Sequence, residues 1–341
     1  MSVAKVWVSG LMTVVLGMGL APAAVLAAPG PTCRALSMPV ALGPGLPATE
    51  TVAGTLCVPA QFTGPKQVDV LVHGASYNRT YWDFPVQEPM YSYVSRTLAQ
   101  GRATFAYDRL GAGQSSRPLS TAVTIESDAY VLHQVIQAAR GVAPVQKVNV
   151  VGHSFGSVVA IDEAATFHDE DRLVLTGLLH ATGPGQTNPA AFQPAFLDPQ
   201  FAGQGYDPGY LTSTPGFRGQ LFYYAPTADP AVIAYDEAHK DVASATQFGE
   251  GLAQINTPAG ANLSNQVTVP VLVIDGQFDQ LFCGLTLDCN NPATVAANEA
   301  PFYTGSPSFT SAIVANTAHD LALHTTAGTS FATINQWIET H

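Results

Sequence analysis

The chain has 341 residues, 47% hydrophobic and only 11% charged, with a formal net charge of −12. That composition supports one large folded domain, or a core with an insertion, and excludes a disordered chain. The acidic balance and the lack of any Lys/Arg run argue against nucleic acid and anionic membrane surfaces, which select clustered cations.

The first residues do not read as part of the fold. Lys5 precedes an apolar stretch, Val6 to Leu20, followed by Ala21-Pro22-Ala23-Ala24-Val25-Leu26-Ala27-Ala28-Pro29. A positive start, a short apolar core and small residues at a cleavage position mark a secretory signal peptide over residues 1–28, cut after Ala27 or Ala28. The apolar run is short for a membrane anchor, and no later segment is long and apolar enough to span a bilayer. The mature chain is therefore expected outside the cell, without stable membrane insertion. Cys33, Cys57, Cys283 and Cys289 remain, and an even number in an exported chain suits two disulfides. Four cysteines allow three pairings, of which Cys33 with Cys57 and Cys283 with Cys289 are the simplest. A zinc site would need tighter Cys/His spacing.

From residue 29 onward, apolar runs alternate with helix-like segments. Val68–Val72, Ala103–Tyr107, Val148–Val151, Leu173–Leu179, Val271–Ile274 and Ala312–Val314 read as buried strands. Between them, Ile125, Ala129, Leu132, Val135, Ile136 and Ala139 recur at helical spacing and stop near Gly141. Phe331, Ile334, Trp337 and Ile338 repeat the pattern at the C-terminus. This alternation predicts an α/β fold, a mainly parallel sheet with helices on both faces. Residues 183–259 break it: the segment is rich in Gly, Pro and aromatics and shows no clean strand. It reads as a cap or lid insertion between two core parts, residues 29–182 and 260–341. Its aromatics, Phe192, Phe196, Phe201, Tyr206, Tyr210, Phe217, Phe222, Tyr223, Tyr224, Tyr235 and Phe248, either line a substrate pocket or form the insertion's own small core.

The strongest chemical signal is Gly152-His153-Ser154-Phe155-Gly156. It directly follows the strand Val148–Val151 and precedes a helix-like run from Val158 to Ala165. A serine between two glycines at a strand-to-helix junction fits a nucleophile elbow. The turn is too tight for a side chain at either glycine. It projects the Ser154 hydroxyl and sets the Phe155 N–H at a helix start, where a developing oxyanion is favoured.

On these residues the sequence resembles the α/β-hydrolase superfamily, from Val68 to the C-terminus. Two further turns carry the likeness. His73-Gly74-Ala75 follows a strand, and the resemblance implies a second oxyanion donor at the Ala75 N–H, with His73 holding the loop. Asp108-Arg109-Leu110-Gly111-Ala112-Gly113-Gln114-Ser115-Ser116 is similar to the family's Asp-Arg-x-Gly-x-Gly-x-Ser turn, which supports the sheet edge and the oxyanion loop. It lacks the Gly-Lys-Ser/Thr of a phosphate loop. The family's order of serine, acid, histidine implies Asp279, in Gly276-Gln277-Phe278-Asp279, as the acid. Asp275, at the strand end, is its nearest rival, and Asp288 reads as solvated. His319, in Thr317-Ala318-His319-Asp320, is implied as the base, although Ala318 stands where the family often has glycine. His324 reads as a surface or helix residue and His153 as packed beneath Ser154. His133, His168, His180, His239 and His341 have no motif around them.

A serine nucleophile sets the chain apart from the aspartate-using dehalogenases and epoxide hydrolases of the superfamily. The His-Gly-Gly-Gly pattern of another lipase branch is absent. Neither a metal site nor a nucleotide fingerprint is visible, so no cofactor is implied. The sequons at Asn78 and Asn262 read as chance occurrences. The expected activity is hydrolysis of a small-molecule ester or lactone with an apolar substituent. Two alternatives stand. Asp207, Asp229, Asp236, Glu237 and Asp241 could grip a free α-amino group in an exported aminopeptidase, or the chain could be a hydrolase-like binding protein without catalysis.

Overall fold

The computed structural model describes residues 1–5, 30–62, 66–141 and 145–341. The apolar leader and the cleavage position read from the sequence lie outside them. In chain order the strands are β1 (Thr32–Val40), β2 (Glu50–Val58), β3 (Lys66–Val72), β4 (Ala103–Tyr107), β5 (Val145–His153), β6 (Arg172–Thr176), β7 (Phe192–Pro194), β8 (Tyr210–Ser213), β9 (Ala243–Ser244), β10 (Val271–Gly276) and β11 (Phe309–Val314). The helices are α1 (Tyr93–Ala99), α2 (Ile125–Gly141), α3 (Phe155–Thr166), α4 (Arg218–Leu221), α5 (Pro230–Ala238), α6 (Ala245–Ile255), α7 (Pro292–Glu299) and α8 (Ala327–Thr340).

Among the described residues, eight strands form one sheet in the order β1-β2-β4-β3-β5-β6-β10-β11. β2 runs antiparallel to both β1 and β4, and every other pair is parallel. β4, β6 and β10 are buried along their whole length, which is why they read as unbroken apolar runs. Successive side chains of β3 feed opposite faces of the sheet. Val70 and Val72 join a core packed under α2 and α3, whereas Leu71 joins a second core under α1 and α8. The α/β layering expected from the sequence is therefore the observed one, with helices on both faces.

Three details differ from the sequence reading. β1 and β2 add an antiparallel edge that was not foreseen, since β1 is largely exposed and carries no apolar run. The strand expected over Leu173–Leu179 ends at Thr176, because Gly177 turns the chain at φ +60°. Residues 183–259 do contain strands: β7, β8 and β9 form a small antiparallel sheet accompanied by α4, α5 and α6. These strands span two to four residues, too few for a period to show.

The cysteines pair as sequence neighbours, Cys33 with Cys57 and Cys283 with Cys289. The first pair sits directly opposed in the β1–β2 register. The second closes a loop just beyond Asp279, and the Cys283 N–H donates to the Asp279 carbonyl at 2.9 Å. Closing so short a loop restricts the unfolded chain by about 2 kcal/mol. A Cys283→Ser, Cys289→Ser double variant should lose about that much stability in denaturant titration, and an unchanged midpoint would contradict this role.

Candidate active site

β5 ends at His153 and α3 begins at Phe155, so Ser154 alone makes the turn between strand and helix. It adopts φ 52° and ψ −119°, a conformation that side-chain-bearing residues rarely hold. Its neighbours make the turn possible. A Cβ on Gly152 would stand 2.7 Å from Ser157 Cα, and one on Gly156 would collide with the Val72 and His73 carbonyl oxygens. The steric need for both glycines is therefore as the sequence implied. The Ser154 N–H donates to Thr176 O at 2.7 Å, and Ser157 N–H donates to Ser154 O at 2.9 Å. Phe155 opens α3, so its N–H has no acceptor within the helix and lies at the positive end of the helix dipole.

The loop after β3 is held by His73. Its Nδ1 donates to Gly74 O at 2.8 Å, and its Nε2 accepts from the Arg109 N–H at 2.9 Å. Burial, then the Arg109 charge, keep this imidazole well below its ordinary pKa, so it remains neutral. Arg109 is locked in turn by Asp128 at 2.9 Å and Gln247 at 2.7 Å. Ser115 and Ser116 accept the Ala53 and Thr51 N–H groups of β2. The Asp108–Ser116 turn thus ties the sheet edge to the loop that carries Ala75.

Asp279 follows β10 and His319 follows β11. The His319 Nδ1 donates to Asp279 Oδ2 at 2.7 Å, and the Leu281 N–H donates to Asp279 Oδ1 at 2.7 Å. Both side chains are fully buried. Burial works to lower the His319 pKa, but the charge and hydrogen bond of Asp279 outweigh it and leave the imidazole raised. Burial alone would raise Asp279, and the His319 charge and hydrogen bond bring it below its ordinary value. Of the two rivals, Asp275 packs against the Asp279 carboxyl without reaching His319, and Asp288 stands apart. Asp275 accepts from the Gly276 N–H at 2.6 Å; burial, then the Asp279 charge, push its carboxyl well up. Asp288 is exposed and accepts from Asn290.

Ser154, Phe155, Ala75 and His319 line one cavity of about 220 Å³. Residues 183–259 supply Phe192, Phe222, Phe248, Leu252 and Ile255 to its wall. The aromatics of the insertion therefore divide. Those three phenylalanines face the cavity, whereas Phe201, Tyr206 and Tyr210 pack with Ala195 and Val242 as a separate small core.

One group of residues was not foreseen. Arg218, fully buried, makes a bidentate pair with Asp236, at 2.8 Å to each oxygen. Its Nη1 donates to the carbonyl and hydroxyl oxygens of Ser76. Its guanidinium lies 4.1 Å from the Tyr77 ring centroid. The Tyr77 hydroxyl donates to Asp320, the neighbour of His319, and sits 3.2 Å from Asp236. Residues 218–236 are thereby fastened to the loop after β3 and to the loop carrying His319 at once. Arg218 and Asp236 are far apart in sequence from both loops, so no local pattern announces them. His153 lies beneath Ser154 as expected, stacked on Tyr81 at 4.2 Å with its Nδ1 3.2 Å from Thr176 Oγ1. His324 is a correction: it is buried, not on the surface. Its Nδ1 donates to Asp320 O and its Nε2 accepts from the Tyr224 N–H, which joins the histidine loop to the insertion. His153, His319 and Asp320 each offer one ligand atom within 4.8 Å of the others. Of these, His319 is held by Asp279 and Asp320 by Tyr77, and the His153 Nε2 stands 3.3 Å from Asp320 Oδ1.

The sequence matches the alpha/beta hydrolase family over residues 70–328. The chain belongs to that family. No curated protein matches the sequence. A thermophilic esterase from Thermogutta terrifontis superposes with a TM-score of 0.59 at 18% identity, covering 90% of this chain and 98% of its own. A monoglyceride lipase from Saccharomyces cerevisiae gives 0.60 at 15% identity, covering 86% and 92%. The 2-hydroxy-6-oxo-6-phenylhexa-2,4-dienoate hydrolase of Rhodococcus sp. strain RHA1 gives 0.55 at 15% identity, covering 90% and 99%. At these identities the likeness is one of fold. Among the described residues, no helix is long and apolar enough to cross a membrane.

Removing one partner of a buried ion pair leaves the other charge without compensation. Asp236→Ala should therefore cost about 3–5 kcal/mol in chemical denaturation, and a loss under about 1 kcal/mol, typical of exposed pairs, would contradict the anchoring role.

Proposed function

We propose that this hydrolase cleaves a carboxylic ester or lactone with an apolar substituent, through an acyl-enzyme on Ser154. The observation that carries the reading is the buried His319–Asp279 hydrogen bond set beside a strained Ser154 in one apolar cavity. In this mechanism the His319 imidazole takes the Ser154 proton as the hydroxyl oxygen attacks the carbonyl carbon. The Phe155 and Ala75 N–H groups receive the oxyanion. The ester C–O bond breaks and the leaving alcohol takes its proton from His319. Water, deprotonated by the same imidazole, then releases the acid and restores Ser154. Asp279 holds the tautomer and stabilises the imidazolium.

The lining favours an ester over a peptide with a free α-amino group. Among the described residues, no carboxylate side chain lines the cavity. The five acids that could have served an aminopeptidase are engaged elsewhere. Asp236 pairs with Arg218, Glu237 with Lys240, Asp207 with Ser120, Asp229 caps α5, and Asp241 binds Asn78 and the Gly113 N–H. A cavity of about 220 Å³ walled by Phe192, Phe222 and Phe248 suits an acyl or alcohol part of modest size. We take residues 183–259 as the cap that shapes it. The two disulfides are in keeping with export to an oxidising compartment.

Ser154→Ala and His319→Ala should each lower kcat on a p-nitrophenyl ester by at least about 10⁴-fold. Aminoacyl anilides should turn over far more slowly than esters. Retained ester turnover in either variant, or a preference for the anilides, would overturn the reading. The raised His319 pKa sets the pH dependence. Below that pKa the imidazolium cannot accept the serine proton, so kcat/KM should fall as pH drops, on a limb above the ordinary histidine value of about 6.5. Asp279→Asn should move this limb to lower pH and cut kcat by about 10⁴-fold. A limb that stays in place would contradict the pairing.

A further inference from the structure

A second cluster of titratable side chains lies on the flank of α3, away from the cavity. Glu163, on the last turns of α3, is fully buried, and Glu170, in the loop beyond, is 5% exposed. Among the described residues, neither Glu163 carboxylate oxygen nor Asp169 Oδ1 has a hydrogen-bond donor, whereas the Glu170 carboxyl leans on the Asp169 and Glu170 N–H groups. From α2, His133 brings its Nδ1 to 2.7 Å from Asp169 Oδ2 and 3.9 Å from Glu163 Oε1. One ligand atom from each of His133, Glu163 and Asp169 lies within 4.8 Å of the others. The nearby arginines are committed elsewhere. Arg140 holds the Asp169 carbonyl and the Asp171 side chain, and Arg172 holds Asn149.

Burying carboxylates without a partner costs several kcal/mol for each ion. Either a shared proton or a cation can relieve such crowding. The imidazole distinguishes the two. A proton shared between carboxyls leaves unexplained the His133 Nδ1, which stands among their oxygens with no hydrogen-bond partner among the described residues. Here that ring is held by stacking on Phe167 at 4.4 Å and Tyr130 at 5.8 Å. One nitrogen with carboxylate oxygens is a ligand set for Zn²⁺ and similar first-row ions, whereas Ca²⁺ and Mg²⁺ prefer oxygen alone. The His133 side chain is 27% exposed and that of Asp169 is 15% exposed, so an ion can enter from solvent.

We propose that His133, Glu163 and Asp169 form a structural divalent-cation site of the kind that takes Zn²⁺, with Glu170 as an outer carboxylate. The ion would join α2, α3 and the α3–β6 loop, and so brace the helix whose first turn follows Ser154. Its ligands are scattered over residues 133–170, which is why no spacing motif revealed them.

The test uses the purified mature protein, freed of metal with a chelator and titrated with ZnCl₂ by calorimetry, with thermal melts in parallel. One zinc per chain should bind and raise Tm, since an ion that binds only the folded chain stabilises it. His133→Ala should weaken binding by at least about 10-fold, as losing even an outer partner does, and should abolish the Tm rise. Should that variant fail to fold, His133→Gln, which retains a polar side chain, replaces it under the same criterion. No stoichiometric zinc in the wild type, or zinc bound equally well by the His133 variant, would overturn the site. So would a Tm that ignores zinc but rises in Glu163→Gln, the result for a shared proton.

Discussion

Everything in this molecule that points toward chemistry depends on one tight turn. Ser154 stands at φ 52° and ψ −119° between β5 and α3, a conformation that costs on the order of 1–3 kcal/mol. It persists because the surrounding packing leaves the chain no alternative. α3 starts so close to β3 that Gly156 abuts the Val72 and His73 carbonyls, and Gly152 abuts Ser157. That closeness puts the start of α3 beside the loop carrying Ala75 and brings Phe155 and Ala75 to the wall of one cavity. The parallel strands then deliver β10 and β11 to the same sheet edge, where their loops supply Asp279 and His319.

A second constraint acts from above the sheet. The Arg218–Asp236 pair is buried, bidentate and surrounded by Ser76, Tyr77 and Tyr223. A hydrogen-bonded charge pair in a low-dielectric setting fixes geometry strongly, because any displacement leaves a charge unsatisfied. It therefore couples the placement of residues 218–236 to the loop after β3. Tyr77 and Asp320 extend the coupling to the histidine loop. Phe222, which walls the cavity from within that segment, is thus set by the same polar core that positions the loops around Ser154.

The sequence disclosed the parts governed by local rules. Steric need announced the two glycines of the turn, and burial on both faces announced β3 to β6 and β10 as apolar runs. The pairing of Asp279 with His319 was reachable only through the family's order of residues, since forty positions separate them. Short or exposed elements left no period: β1 faces solvent along much of its length, and β7 to β9 are too brief. The insertion's aromatics look alike in sequence, and only the fold sorts Phe248, at the cavity, from Tyr206, in a separate core. His324 misled for a related reason. A histidine beside polar residues reads as exposed, yet both its nitrogens are used inside to join two loops.

The central claim is that Ser154 is an activated nucleophile served by His319. A fluorophosphonate probe, followed by peptide mass spectrometry of the folded protein, tests it most directly. The account predicts a single adduct on the peptide carrying Ser154, lost when His319 is replaced by alanine. Folded protein that stays unlabelled, or labelling that persists without His319, would contradict it.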